Sequence, residues 1–212
     1  MNRLFLYRHK DKRHMYPDAL KDKTVGIAGC GGLGSNCAVA LARAGVGKLV
    51  IADFDVVCES NLNRQYFFID QLGMKKVIAL RDNLLRIRPG LQLEVHDVTL
   101  EPESIFRIFS SCQVIAEAFD QAAAKQMIIE TVLSRFDDKY LVCGIGLAGW
   151  GMNESIETVR DGRLIICGDR CSEVSDTLPP LAPRVGIVAH MQANIILELL
   201  LGPCGGLQPC VT

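Results

Sequence analysis

The sequence predicts an α/β fold: a Rossmann-like, mostly parallel sheet with helices on both faces, ending in antiparallel strands. Three observations predict it. Short apolar runs alternate with helical segments from Thr24 onward, the pattern of βαβ units. A glycine-rich turn, Gly29–Gly34, separates the first run from the first helix. Late in the chain, Asp161-Gly162 sits between two alternating runs, which is a hairpin signal.

Residues 1–23 are polar and basic and read as an N-terminal arm, with a short helix at Pro17–Lys23. Thr24–Ala28 is then a buried strand. Leu33–Ala44 is a helix whose small residues permit close packing on a sheet, and Lys48–Ala52 is a strand closed by Asp53. Gly73–Arg88 is helical up to Pro89, where the ring stops a helix. Gln92–His96 (strand), Pro102–Ser110 (helix) and Val114–Ala118 (strand) continue the alternation. Ala122–Arg135 (helix) and Tyr140–Gly144 (strand) close it. Ser155–Arg160 and Arg163–Cys167 then form a hairpin, with Asp161 and Gly162 both expected at positive φ. A Pro-containing loop, Ser172–Pro183, leads to a long apolar helix, Val185–Leu201. Residues 24–202 are therefore expected to be one domain, with 203–212 a flexible tail.

A chain of 212 residues with 49% apolar and 22% charged residues has an ordinary globular composition. Its formal net charge of -1 offers no field to recruit a membrane or nucleic acid, so neither is an expected partner. The opening residues lack the apolar run of a signal peptide, and the apolar stretches near the end are broken by Glu198. The expected location is the cytoplasm. Nine cysteines include no Cys-x-x-Cys pair, so buried small hydrophobes and stray thiols are expected.

Gly29-Cys30-Gly31-Gly32-Leu33-Gly34 fits G-x-G-x-x-G between a strand and a helix, and Asp53 follows at the end of the next strand. Glycines let backbone N–H groups reach phosphate at a positive helix terminus, and the acid takes ribose hydroxyls. The motif alone does not separate NAD from ATP. The stretch Asp53–Gln65 bears on that choice. Asn61, Arg64 and Gln65 add amides and a forked cation just past the strand end, and Lys76 follows on the next helix. A triphosphate losing pyrophosphate needs such cations; a dinucleotide does not.

GCGGLGSN, DFDVVCESNLNRQ, GMKK and EAFDQ together resemble the family of ThiF, MoeB and the ubiquitin-activating enzymes. The likeness runs from about Val25 to Gly202 and most resembles the short, thiamine-type ThiF proteins. Their late segments are similar to Ile166–Asp169, Ala182–Gly186 and Gln192–Asn194. The resemblance implies ATP-dependent adenylylation of the C-terminal Gly-Gly carboxylate of a ThiS-like sulfur carrier, in thiamine thiazole synthesis, by a homodimer. Position by position it implies that Gly29, Gly31, Gly32 and Gly34 hold the nucleotide, with Asp55 beside them. Asp53 would bind the ribose, Asn61, Arg64 and Gln65 the phosphates, and Lys76 the β/γ end. Asp120 would be the Mg²⁺-linked carboxylate; read without the family, its residue type and place favour the N-cap of the following helix. Arg64, Lys76 and Asp120 are the residues expected to drive the chemistry, which needs no general base because the carboxylate is itself the nucleophile.

The chain departs from its longer relatives. Without their paired Cys-x-x-Cys motifs, no zinc is expected. Cys171 lies in the region where they carry a transfer thiol, but in no matching motif; Cys167 ends a strand and should be buried. Arg8 and Arg13 are candidates for an arm arginine. Gly205-Gly206 is followed by six residues and so does not imitate a carrier's terminus. Three other readings stand beside this one: activation of a molybdopterin carrier or a tRNA-borne carboxylate, an NAD-type oxidoreductase, and an inactive nucleotide-binding module.

Overall fold

A computed structural model describes residues 17–203. The N-terminal arm with Arg8 and Arg13, and the tail with Gly205-Gly206, lie outside the described residues. A 3₁₀ turn at Asp18–Leu20 replaces the expected helix and buries Leu20.

Seven strands form one sheet: β1 (Thr24–Ala28), β2 (Lys48–Asp53), β3 (Gln92–Asp97), β4 (Val114–Glu117), β5 (Tyr140–Gly144), β6 (Glu157–Asp161) and β7 (Leu164–Gly168). Their order is β3-β2-β1-β4-β5-β7-β6. Every neighbouring pair is parallel except β6–β7. The chain steps outward from β1 to β3, returns to the other side of β1 as β4, and steps outward again. This reversal sets the topological switch point between β1 and β4, at whose carboxyl ends a crevice opens.

Side chains alternate across the sheet. Val25, Ile27, Leu49, Ile51, Val114 and Val142 face one core, which α1 (Gly32–Ala44), α2 (Lys76–Ile87) and α5 (Ala182–Leu201) cover. Ala28, Val50, Ile115, Leu141 and Cys143 face a second core beneath α3 (Pro102–Ile108) and α4 (Ala122–Arg135). Strands buried on both faces need continuous apolar runs, and β1, β2 and β4 supply them. α1 stops at Gly45, whose φ of +102° lets the N–H of Val46 return to Leu41 O at 3.2 Å, a Schellman closure. α5 has the length and hydropathy of a membrane-crossing helix, yet half of it is buried in this fold.

Two expectations shift. α2 begins at Lys76, not Gly73. Gly73 has φ +81° and its N–H bonds Val57 O, while Val56 and Lys75 form an antiparallel bridge, so residues 73–75 turn back on residues 56–57 before the helix starts. The hairpin also moves by one residue. Asp161 pairs with Leu164, so the turn is Gly162-Arg163. Only Gly162 has positive φ, at +54°, which matches the two-residue turn with glycine first.

Candidate active site at the switch point

The glycine turn is built by close approach. A Cβ on Gly34 would lie 1.8 Å from Gly29 O, and Gly29 itself has φ +96° against Ala118 O. Only glycine at both positions lets α1 start this close to β1 and β4. The free N–H groups of the first turn of α1 therefore point into the crevice with the positive end of the helix dipole.

Asp53 locks the turn to β2. Its two carboxylate oxygens accept the N–H of Cys30 at 2.6 Å and of Asp55 at 2.8 Å. A carboxylate offers about four lone-pair sites, so about two remain for hydroxyls. Burial pushes the Cys30 thiol well above its ordinary value; Asp53 raises it further, and Lys76 opposes. The thiol inside the turn thus stays protonated, with both charges close to it.

Loop 58–66 lies across the start of α1. Ser35 Oγ accepts the N–H of Tyr66, and Asn36 Nδ2 donates to Arg64 O. The aliphatic stem of Arg64 passes 3.6 Å from a Cβ position on Gly32. Its guanidinium donates only to Ser60 O and Asn63 Oδ1, and no carboxylate pairs with it among the described residues. Gln65 is buried beside Gly31, with Nε2 3.7 Å from that residue's Cβ position and Oε1 unpartnered. Asn61 Oδ1 caps its own turn by accepting Cys58 N–H, which leaves its amide N–H groups open.

Lys76 is the first residue of α2 and is 6% exposed. Its Nζ pairs with Asp55 at 2.7 Å and its N–H bonds Asp55 O. The structure makes Asp55 the counter-ion of this lysine. Asp120 is exposed on the turn after β4, two residues past the Ala118 carbonyl that presses on Gly29. It makes no hydrogen bond or ion pair with another described residue. The N-cap of α4 is Gln121, so the capping role open to Asp120 is not the one it takes. Its open carboxylate suits a hard cation carried by a phosphate ligand.

The glycines, Asp53, Arg64, Gln65, Asp55 and Lys76 thus share one rim, and Asp120 sits on the adjoining turn. Two buried ion pairs went unread in the sequence. Glu117, fully buried, takes Lys125 at 2.9 Å. Burial pushes its carboxyl up, while Lys125 and the Phe119 N–H pull the other way. The second pair is Asp169–Arg184, with side chains 2% and 5% exposed. Burial opposes the charge of Asp169. The N–H groups of Ser172 and Cys171, with Arg184, overcome that and hold the carboxyl well below the usual range. Arg184 also donates to Gly151 O, so one guanidinium ties two loops to α5. The signal was present in the runs holding Glu117 and Arg184, but nothing local links either to its partner. Cys171 is exposed, its N–H held by Asp169. Cys167 is buried, as expected of a strand end, and burial raises its thiol.

Fold and site together define an open parallel α/β domain with a glycine-turn crevice at its switch point. The chain belongs to the ThiF family, whose model matches residues 8–210. It is 40% identical over 92 residues to ubiquitin-like modifier-activating enzyme 5 of Caenorhabditis briggsae, covering 43% of this chain and 21% of the relative. It is 31% identical over 188 residues to the adenylyltransferase and sulfurtransferase UBA4 of Eremothecium gossypii, covering 88% and 39%. The chain therefore spans well under half the length of these curated relatives. Among solved structures, E. coli tRNA N6-threonylcarbamoyladenosine dehydratase TcdA in complex with AMP matches with TM-score 0.77 at 20% identity, over 86% of this chain and 88% of that one. That likeness is one of fold.

Proposed function

We propose that this chain is an adenylyltransferase that uses ATP to activate the C-terminal Gly-Gly carboxylate of a ubiquitin-like sulfur carrier of the ThiS type, in thiamine thiazole synthesis. The observation that carries the reading is the pair of cations at the glycine turn. Arg64 lies against Gly32 with no carboxylate partner among the described residues, and Lys76 stands at the head of α2 with two of its three donors beyond Asp55. Two relatives, an adenylyltransferase and sulfurtransferase and a ubiquitin-like modifier-activating enzyme, support the same reaction class.

In this reading the turn and the α1 terminus receive the phosphates. Asp53 receives the ribose through its remaining lone pairs, and the free N–H groups of Arg64, Asn61 and Gln65 surround the α-phosphate. Lys76 holds the departing end. The carrier carboxylate attacks the α-phosphorus, the α–β bridging bond breaks, and pyrophosphate leaves with its electron pair. Asp120 would hold the Mg²⁺ that accompanies ATP, which would supply neutralising charge to that leaving group. Catalysis is positioning and charge neutralisation. A cytoplasmic homodimer completes the proposal; Ile187 and Leu201, exposed on the outer face of α5, support a second copy.

The test is exchange of labelled pyrophosphate into ATP in the presence of carriers ending in Gly-Gly. We expect exchange only with a carrier. Arg64→Ala and Asp120→Ala should each lower it by about 10²-fold or more while circular dichroism and Tm stay near wild type. Near-normal exchange in both variants would remove these residues from the site. Exchange with a molybdopterin-type carrier but not a thiamine-type one would move the substrate and keep the chemistry.

A further inference from the structure

The adenylation chemistry leaves the buried acid at the end of β4 unused. Glu117 closes β4 and is 0% exposed. Its Oε1 accepts the N–H of Phe119 at 2.6 Å. Lys125, reaching back from α4, donates to both Glu117 oxygens at 2.9 and 3.0 Å and to Gly144 O at 2.8 Å. From the opposite face of the sheet, Gln192 of α5 donates to Glu117 O and Val142 O, each at 2.9 Å. The carboxyl ends of β4 and β5 are thereby stitched together from both sides.

A buried ion pair is a weak stability device, because desolvation offsets most of the attraction. Two apolar side chains of similar size would hold α4 on the sheet as well. They would not hold the N–H of Phe119. That N–H belongs to the turn that packs on the nucleotide loop: Ala118 O and Phe119 Cδ1 lie 2.9 and 3.3 Å from the Cβ position on Gly29. Asp120 comes next and has no partner of its own among the described residues, so its direction is inherited from the residue before it. Lys125 in turn keeps Glu117 aimed at Phe119 and ties the arrangement to β5.

We propose that Glu117, held by Lys125, is a positioning residue that fixes the Phe119–Asp120 turn and so aims the Asp120 carboxylate at the triphosphate side of the crevice. The ligand half of this statement rests on the adenylation reading; the positioning half does not. It predicts that the acceptor on residue 117 matters for ligand binding more than its charge does.

The test uses the whole chain and three readouts: ATP affinity by calorimetry with and without Mg²⁺, amide hydrogen exchange at Phe119 and Asp120, and Tm. The variant E117M/K125M removes the acceptor and leaves no unpaired charge. We expect it to stay folded, to exchange the Phe119 and Asp120 amides faster, and to bind ATP about 10-fold more weakly with Mg²⁺ but unchanged without it. Adding Asp120→Asn should cost little more, because both changes disable one device. Glu117→Gln keeps an acceptor oxygen for Phe119; it should lose stability but retain most of the Mg²⁺-dependent affinity. Wild-type exchange and affinity in E117M/K125M would overturn the proposal. So would a full additive loss on adding Asp120→Asn, or a loss in Glu117→Gln equal to that of the double variant. Should E117M/K125M not fold, Glu117→Gln with its amide exchange decides by the same criterion. If wild type fails to bind ATP with Mg²⁺, the adenylation reading falls, and exchange at Phe119 alone decides the positioning claim.

Discussion

The two sides of the crevice are made differently. On the β1–β2 side the backbone does most of the work. Gly34 presses on Gly29, Asp53 accepts two main-chain N–H groups, and Asn36 and Ser35 anchor the main chain of loop 58–66. On the β5–β7 side, loops 145–151 and 168–181 cross open ground. Trp150, Met152 and Val174 are 68%, 73% and 62% exposed, and Met152 and Arg170 sit at positive φ without being glycine. One ion pair, Asp169–Arg184, ties these loops to α5. Main-chain tethers are thus concentrated where the phosphates are expected. The wall across from them depends on a few long-range contacts.

The largest expected effect tests that dependence. Arg184→Met strands a buried carboxylate and should cost about 3–5 kcal/mol in urea unfolding at pH 7. Its pH dependence has a definite sign. The carboxyl of Asp169 is depressed in the folded state, so the stability it contributes is fully present above the unfolded value of about 3.9 and is lost as pH falls through the folded value. The gap between wild type and Arg184→Met should be flat from about pH 5 to 8 and shrink on acidification below about pH 4. A gap that does not change with pH would mean the pair is not what holds the wall.

Gly34→Ala attacks the other side. Its Cβ meets backbone that has no room to yield, and we expect a loss of about 3 kcal/mol together with loss of nucleotide affinity. Gly151→Ala is the matched change on the β5–β7 side. Nothing lies within 4 Å of its Cβ position, so only the left-handed conformation at φ +69° resists, at about 1 kcal/mol. Equal losses in the two variants would erase the contrast. Smallest is Trp150→Ser, which should leave stability within about 0.5 kcal/mol; a larger drop in Tm would show that this loop packs more than its exposure implies.

The same contrast governs what the sequence made legible. β1, α4 and β5 fall at their expected bounds because an apolar period, flanked by turn residues, is local information. The glycine turn is legible for the same reason. Lys76 was expected inside a longer helix, because the bridge between Val56 and Lys75 that delays α2 pairs residues 19 positions apart. Asp169 and Arg184 are separated by a proline-containing loop, and Glu117 finds Lys125 only once α4 lies against the sheet. Neither pair leaves a periodic trace. Asn61 and Asp55 were named from the same run as Arg64, yet one caps its own turn and the other neutralises a lysine, roles that the residue types alone do not distinguish.

The most direct measurement is a calorimetric titration of the purified chain with ATP and Mg²⁺, repeated with NAD as competitor. We expect one site per chain that takes ATP, is weakened by Arg64→Ala and by Gly34→Ala, and is not displaced by NAD. Binding of NAD in preference to ATP, or ATP binding indifferent to both substitutions, would contradict it.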